Sequence, residues 1–339
     1  MPKTLPPATL RVPRVGRVEA NAAPDCFDAR DLPYRPRLQP LPPVLDTRTL
    51  ASRYVMKQRG SSCTGHAVAT VVNTVLAQSR PETAVHVSPY MLYALGRRYD
   101  DFPGEDDLGS SLRGVLKGWF EHGVAPEDRW PLLDSSVPLD DPELVRVCRG
   151  YPLGAFYRVT PQRLDDVQSA LCELHAVAVS AQIHHGWLTP TRRVSGGEES
   201  WVIERGRGAE PLGGHAFALV GYNDVGFLVQ NSWGVRWGKG GFATLPYEDW
   251  LDSAYDAWVV RPGVPQTPFG SGRTRTARVT GGALATGPAP DLERLARHVV
   301  NLGNEGRLSG TGKFVSTPEQ LDRILASMGT YHAQWAAEA

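Results

Sequence analysis

The chain has 339 residues, 41% of them apolar and 21% charged, enough for one large domain or two ordinary ones with a well-buried core. Its 36 basic and 36 acidic side chains cancel, so charge points to neither nucleic acid nor an anionic membrane as a partner. The sequence lacks an apolar run of about 18 residues, and Cys26, Cys63, Cys148 and Cys172 form no CxxC pair or dense framework, which argues against a membrane span, a zinc site and a disulfide scaffold.

Residues 1–43 contain ten prolines and little periodicity, and they read as an extended arm. The start has no continuous apolar stretch of the secretory kind, so a cytoplasmic location is expected, with export by an unmarked route left open. From Cys63 onward, Ala67, Val68, Val71, Val72, Val75 and Leu76 recur at helical spacing, which puts Cys63 near the N-terminus of a helix running to about Gln78. A second helix is expected from Ser88 to about Arg98, with Ser88 as cap and Pro89 at the first position. A third covers Ser111 to His122 and a fourth Pro161 to Leu174.

Strand signals follow over residues 176–183, 215–222, 226–231, 241–245 and 257–260. Helices first and strands afterwards predict an α+β fold over residues 44–262, with a helical lobe, an antiparallel β lobe and a cleft between them. Residues 263–290 read as a Gly-, Pro- and Thr-rich linker. Residues 291–339 read as a helical appendage, or as the edge of a further domain or partner contact.

Three separated segments fit one reaction. Cys63 opens a helix, whose N-terminal partial charge favours thiolate over thiol. His215 starts a core strand after Gly213 and Gly214, and Asn231 ends the next strand, where it can accept an imidazole N–H and fix the tautomer. Trp233 is placed to shield that hydrogen bond from water. Each segment alone is compatible with simple packing; their conjunction points to nucleophilic catalysis by a thiol and a base.

The region from Gln58 to Cys63, the strand His215 to Asn223 and above all Asn231-Ser232-Trp233-Gly234-Val235-Arg236-Trp237-Gly238 resemble the papain-like (C1-type) cysteine peptidases, in that chain order. The likeness spans about residues 42 to 262 and is nearest the bacterial, intracellular branch. It implies a two-lobed fold and a peptidase with no metal or organic cofactor. Cys63 would attack a peptide carbonyl to give a thioester, and His215 would move the protons. The side chain of Gln58 and the backbone N–H of Cys63 would bind the oxyanion. By the same resemblance Ser180 and Ala216 would line a substrate pocket, and Gly109 would hydrogen-bond the backbone of a protein or peptide substrate.

The spacing departs from the family in one respect: Gln58 lies five residues before Cys63, one fewer than usual. Gln58 is preferred for the oxyanion position, with Lys57 taking it if the loop were rigid. His66 is a rival base one helical turn after Cys63, with core packing favoured, and the pair His184–His185 is read as chance. The arm is expected to lie as a strap on a lobe surface in preference to crossing the cleft. Two alternatives to peptide hydrolysis stay open: acyl transfer or isopeptide cleavage on the same triad, and a peptide-binding module without turnover.

Overall fold

A β-hairpin opens the described chain, where the sequence had suggested only an extended arm. Strand β1 (Ala8–Val12) pairs antiparallel with β2 (Gly16–Ala20), in the register Ala8↔Ala20 to Val12↔Gly16. The turn between them holds Arg14 at φ 63° and Gly16 at φ 105°, the latter a backbone that glycine adopts without strain. Alternation in β1 and β2 buries Val12, Val18 and Ala20, and Val15 in the turn is buried with them. The computed structural model describes residues 8–263 apart from 38, 49–53, 80–84, 103, 105, 134–137, 196–197 and 207–208; the expected linker beyond Gly263 and the expected appendage 291–339 lie outside the described residues.

After the short β3 (Leu45–Asp46) comes the helical half: α1 (Cys63–Ser79), α2 (Pro89–Tyr99), α3 (Leu112–His122) and α4 (Pro142–Cys148). The Ser88 hydroxyl accepts from the Met91 N–H and caps α2, and Ser111 caps α3 through the Gly114 N–H. Val68, Val71 and Val72 of α1, Leu92 and Leu95 of α2 and Val115, Leu116 and Trp119 of α3 form one apolar core, which extends to Trp258 and Val260 of the sheet. Gly65 lets α1 and α2 touch: a Cβ there would lie 2.1 Å from the Pro89 carbonyl oxygen.

The second half supplies β4 (Leu153–Val159), α5 (Leu164–Leu174), β5 (Val177–Ile183), a 3-10 turn at His185–Trp187, β6 (Thr191–Ser195) and β7 (Glu198–Val202). It continues with β8 (Gly213–Tyr222), β9 (Gly226–Gln230), β10 (Phe242–Pro246), α6 (Tyr247–Ser253) and β11 (Ala254–Pro262). The strands order as β4-β11-β5-β8-β9-β10-β7-β6, with β3 added on β8. Pairing is antiparallel except at Thr244↔Val202, where β10 and β7 run parallel. Every residue of β8 is buried, because one face packs on α1 and the other on a second core of Phe217, Leu219, Phe227, Trp237 and Trp250. Two cores and a helix–strand contact between them give the expected α+β architecture. The elements α4, β4, β6, β7 and α6 were not foreseen. Among the described residues, no helix is long and apolar enough to cross a membrane.

Candidate active site

Helix α1 begins at Cys63 itself, and the neighbouring strand β8 carries His215. The Ala216 N–H, next along from His215, faces the Cys63 sulfur. His215 Nε2 lies 2.8 Å from Asn231 Oδ1, and since that oxygen can only accept, the ring carries its proton on Nε2. Nδ1 is then the free base, buried and without a partner among the described residues. Asn231 Oδ1 also accepts the Ser232 N–H at 2.7 Å, which pins the amide in this orientation.

The imidazole is enclosed by aromatic rings. Trp233 lies with its centroid 4.8 Å away, Phe217 at 6.0 Å, and Trp187 meets the ring edge-on at 5.9 Å. Trp187 is held from behind by a stack on Trp237, whose indole N–H donates to the Trp187 carbonyl at 2.7 Å. Trp233 was legible within its motif. Trp187 was not, because it comes from the 3-10 turn after β5, far from any motif.

Gln58 reaches the site through an unexpected strand-like pairing. Lys57 bridges antiparallel to Trp233, Gln58 N–H donates to the Ser232 carbonyl, and Gly234 N–H donates to the Met56 carbonyl. Alternation along residues 56–58 sends the two candidate side chains to opposite sides. Lys57 Nζ turns to the Val15 carbonyl of the hairpin, and Gln58 turns inward. The Ser232 hydroxyl donates to Gln58 Oε1 at 2.7 Å, which leaves Nε2 as the end facing the cleft. The short spacing to Cys63 is absorbed in the turn around Gly60, at φ 60°, where a Cβ would meet Asp107.

His66, the rival base, is engaged by its own helix. Its Nδ1 lies 2.8 Å from the Ser62 carbonyl, its ring meets Tyr90 edge-on at 5.2 Å, and burial lowers its pKa to about 4. His184, expected to be incidental, is buried and pairs through Nε2 with Asp249 Oδ2 at 2.7 Å. All four cysteines are free.

The arm corrects the expectation of a surface strap, because it runs through the groove between the lobes. Asn21 bridges Gly214 and Ala22 bridges Ser110, both in parallel; Ala22 N–H donates to the Gly214 carbonyl at 2.8 Å and Ala23 N–H to the Ser110 carbonyl at 3.1 Å. Gln58 Nε2, the expected oxyanion donor, gives hydrogen bonds to the Glu19 carbonyl at 2.9 Å and to the Gly60 carbonyl at 3.2 Å. The Asn21 N–H faces the Cys63 sulfur. Gly109 supplies clearance, since a Cβ there would lie 1.8 Å from the Asn21 carbonyl oxygen, and its own N–H donates to the Tyr93 hydroxyl. Ser180 and Ala216 are cross-strand neighbours beside this path, and the Ser180 hydroxyl donates to Asp256 Oδ2 at 3.1 Å.

The consequence is electrostatic. Cys63 and His215 are both 0% exposed. Burial pushes the thiol up to about 11 and the imidazole down to about 4, so both are neutral in this state, whereas the helix N-terminus alone would favour thiolate.

No family model matches the chain. An uncharacterized peptidase C1-like protein of Acanthamoeba polyphaga mimivirus is 25% identical over 213 residues, which cover 59% of this chain and 67% of that protein. Among solved structures, xylellain, a cysteine protease from Xylella fastidiosa, matches with a TM-score of 0.61 and 24% identity over 71% of this chain and 95% of its own. A procathepsin B from Trypanosoma congolense matches at 0.56 and 15% over 72% and 87%, and digestive procathepsin L 3 of Tenebrio molitor at 0.54 and 17% over 70% and 75%.

Proposed function

We propose that this chain, which has the papain-like fold, is a cysteine peptidase that uses Cys63 as nucleophile, His215 as base and Asn231 to orient the imidazole. The observation that carries this reading is the His215–Asn231 hydrogen bond, which leaves Nδ1 unprotonated on the strand next to the Cys63 sulfur. Once water enters the groove, the burial that keeps both groups neutral is relieved, and the α1 N-terminus supports the thiolate. Nδ1 takes the thiol proton, and the sulfur bonds to the substrate carbonyl carbon. Gln58 Nε2 and the Cys63 N–H hold the oxygen as it becomes negative. The imidazolium then gives its proton to the departing amine as the C–N bond breaks. Water, deprotonated by His215, displaces the sulfur from the thioester and restores the thiol.

A peptide or protein substrate is supported by what the groove accepts in its closed state: an extended chain, hydrogen-bonded through its backbone to Ser110 and Gly214. Ser180, Ala216 and Gly109 are the proposed walls of the substrate path. The test is cleavage of a diverse peptide library by the intact protein and by Cys63→Ala. Turnover by the first and background by the second is the expected result, and equal turnover above background by both would overturn the assignment of the nucleophile. Products carrying an added amine in place of water would move the reading to acyl transfer. Binding of library peptides with no turnover, in a chain from which residues 1–40 are removed, would move it to a peptide-binding module.

A further inference from the structure

Trp187 stands against the His215 imidazole, yet it lies outside every motif. Its place is set by the turn after β5, and a buried pair, His184 and Asp249, ties that turn to α6. The Gly186 N–H donates to His184 Nδ1 at 3.1 Å, so Nδ1 carries no proton. The ring proton is therefore on Nε2, which donates to Asp249 Oδ2 at 2.7 Å, in the first turn of α6. Asp249 Oδ1 faces Arg205, whose Nη1 stands 3.7 Å away and reaches Asp252 Oδ2 at 3.2 Å. The backbone closes the turn as well: the Trp187 N–H donates to the His184 carbonyl at 3.0 Å, and the Trp187 carbonyl accepts the Trp237 indole N–H. A Cβ at Gly186 would lie 2.1 Å from the Glu204 carbonyl oxygen and 2.9 Å from His184 Cε1. The turn thus has a single seat, between the His184 ring and the chain that follows β7.

We propose that His184 and Asp249 are positioning residues for the His215 imidazole, acting through Trp187 to keep it in line with the Cys63 sulfur. This inference rests on the peptidase reading for its meaning in catalysis and on the contacts alone for its geometry. Asn231 holds the imidazole at Nε2 and leaves rotation about that hydrogen bond to be stopped by packing. Trp233 lies along the ring, and Trp187 stands across it at 84°, so the imidazole cannot tilt toward the 3-10 turn without displacing Trp187. Trp187 in turn packs on Phe217, with 4.7 Å between centroids. A buried aspartate is a costly way to fill space. Paired with the His184 N–H it fixes one geometry for the turn, where apolar packing alone would accept several.

The test titrates His215 by NMR in the full chain labelled at histidine Cε1, with the signal assigned by its loss in His215→Ala. Burial holds this imidazole down at about 4 in the intact protein. His184→Phe keeps a ring and loses both nitrogen contacts, and Asp249→Ala loses the acceptor. Each is expected to raise the His215 midpoint by about one pH unit toward its ordinary 6.5, as water reaches the loosened ring. Loss of a nearby negative charge would by itself lower that midpoint, so a rise reports the loosened packing and not the missing carboxylate. Asp249→Asn still offers an oxygen to His184 Nε2 and should restore most of the wild-type behaviour. In steady-state kinetics His184→Phe and Asp249→Ala should lower kcat about tenfold with KM nearly unchanged. In a Trp187→Ala background neither the His215 midpoint nor kcat should respond further to Asp249→Ala, because the pair acts through that indole. A lower melting midpoint with the His215 titration and kcat unchanged would overturn the proposal, as would equal effects of Asp249→Ala with and without Trp187. Should Asp249→Ala fail to fold, His184→Phe carries the same decisions. A shifted His215 titration in a chain that cleaves no library peptide would sink the peptidase reading and leave the positioning of the imidazole standing.

Discussion

Gln58 and Lys57 are neighbours in sequence, and only the pairing of residues 56–58 with 232–234 decides which of them faces Cys63. Gln58→Ala is expected to lower kcat about 10²–10³-fold, the usual cost of one oxyanion donor, whereas Lys57→Ala should change it little. Steady-state kinetics on one peptide substrate check both, and a large loss in Lys57→Ala alone would reverse the assignment. Ser232→Ala removes the donor to Gln58 Oε1, so the amide can rotate and present its oxygen to the developing negative charge. Its expected signature is a fall in kcat with KM nearly unchanged, restored in part by Ser232→Thr. Of these residues, Asn231, Trp233 and His215 were legible because their spacing along two adjacent strands carries the geometry with it. Ser232 sat inside the same motif, but its role depends on a partner 174 residues away. No local pattern encodes that contact.

Helix α1 shows how an element can be legible while its packing is not. Its apolar spacing marked its extent almost to the residue, from Cys63 to Ser79. On propensity alone Gly65→Ala would stabilise such a helix by up to about 1 kcal/mol. The new Cβ would instead lie 2.1 Å from the Pro89 carbonyl and 2.7 Å from the Tyr93 nitrogen, backbone atoms that cannot move without parting α1 from α2. A net loss of roughly 1–3 kcal/mol is expected from overpacking, measurable as a lower midpoint in urea. The arm segment is the second element whose behaviour the fold decides. Burial raises Asp25, and it carries Asp256 up to about 7, with the charge of Asp25 adding to the rise. Arg113 from α3, Arg158 from β4, Ser111 and Ser180 oppose these shifts. Asp31 of the arm pairs with both arginines, Asp100 at the end of α2 is itself raised to about 6, and Tyr255 adjoins Asp256. Release returns Asp25 to water and its ordinary range, so the seated arm holds more protons than the free one. The contact is then complete below the ordinary carboxylate range and weakens as pH rises through the raised range of the two carboxyls, about 7 for Asp256, by up to about tenfold per unit for one linked proton. Fluorescence anisotropy of a labelled synthetic peptide of residues 17–28, added to a chain carrying Asp25→Ala, should report weaker binding at about pH 8 than at about pH 5.5. An unchanged or tighter complex at the higher pH would refute this sign.

The described residues form two apolar cores with a groove between them, and the hairpin β1–β2 belongs to the sheet-side core through Val12, Val15 and Val18. Deleting residues 1–40 therefore does more than clear the groove. It strips three buried valines from that core, at a cost of roughly 3–5 kcal/mol, so such a deletion should unfold at distinctly lower temperature than the intact chain. Differential scanning calorimetry separates the two; equal midpoints would mean that the hairpin contributes no packing. The hairpin was hidden because each of its strands is only five residues long, while the ten prolines of residues 1–43, of which Pro13 alone lies within the hairpin and in its turn, give the segment the look of an extended arm. By itself the sequence determined the α+β class, the extents of the first three helices and the order of thiol, imidazole and amide along the chain. Periodicity and short-range spacing are local properties, and they survive without any knowledge of the fold. Only the tertiary structure decided that Gln58 and not Lys57 turns inward, that Trp187 closes the cage around His215, and that the arm lies in the groove with Asp25 between the two halves. Each of these depends on which distant segments meet across the cleft, and hydrogen bonds at long separation are set by packing that no window of sequence contains.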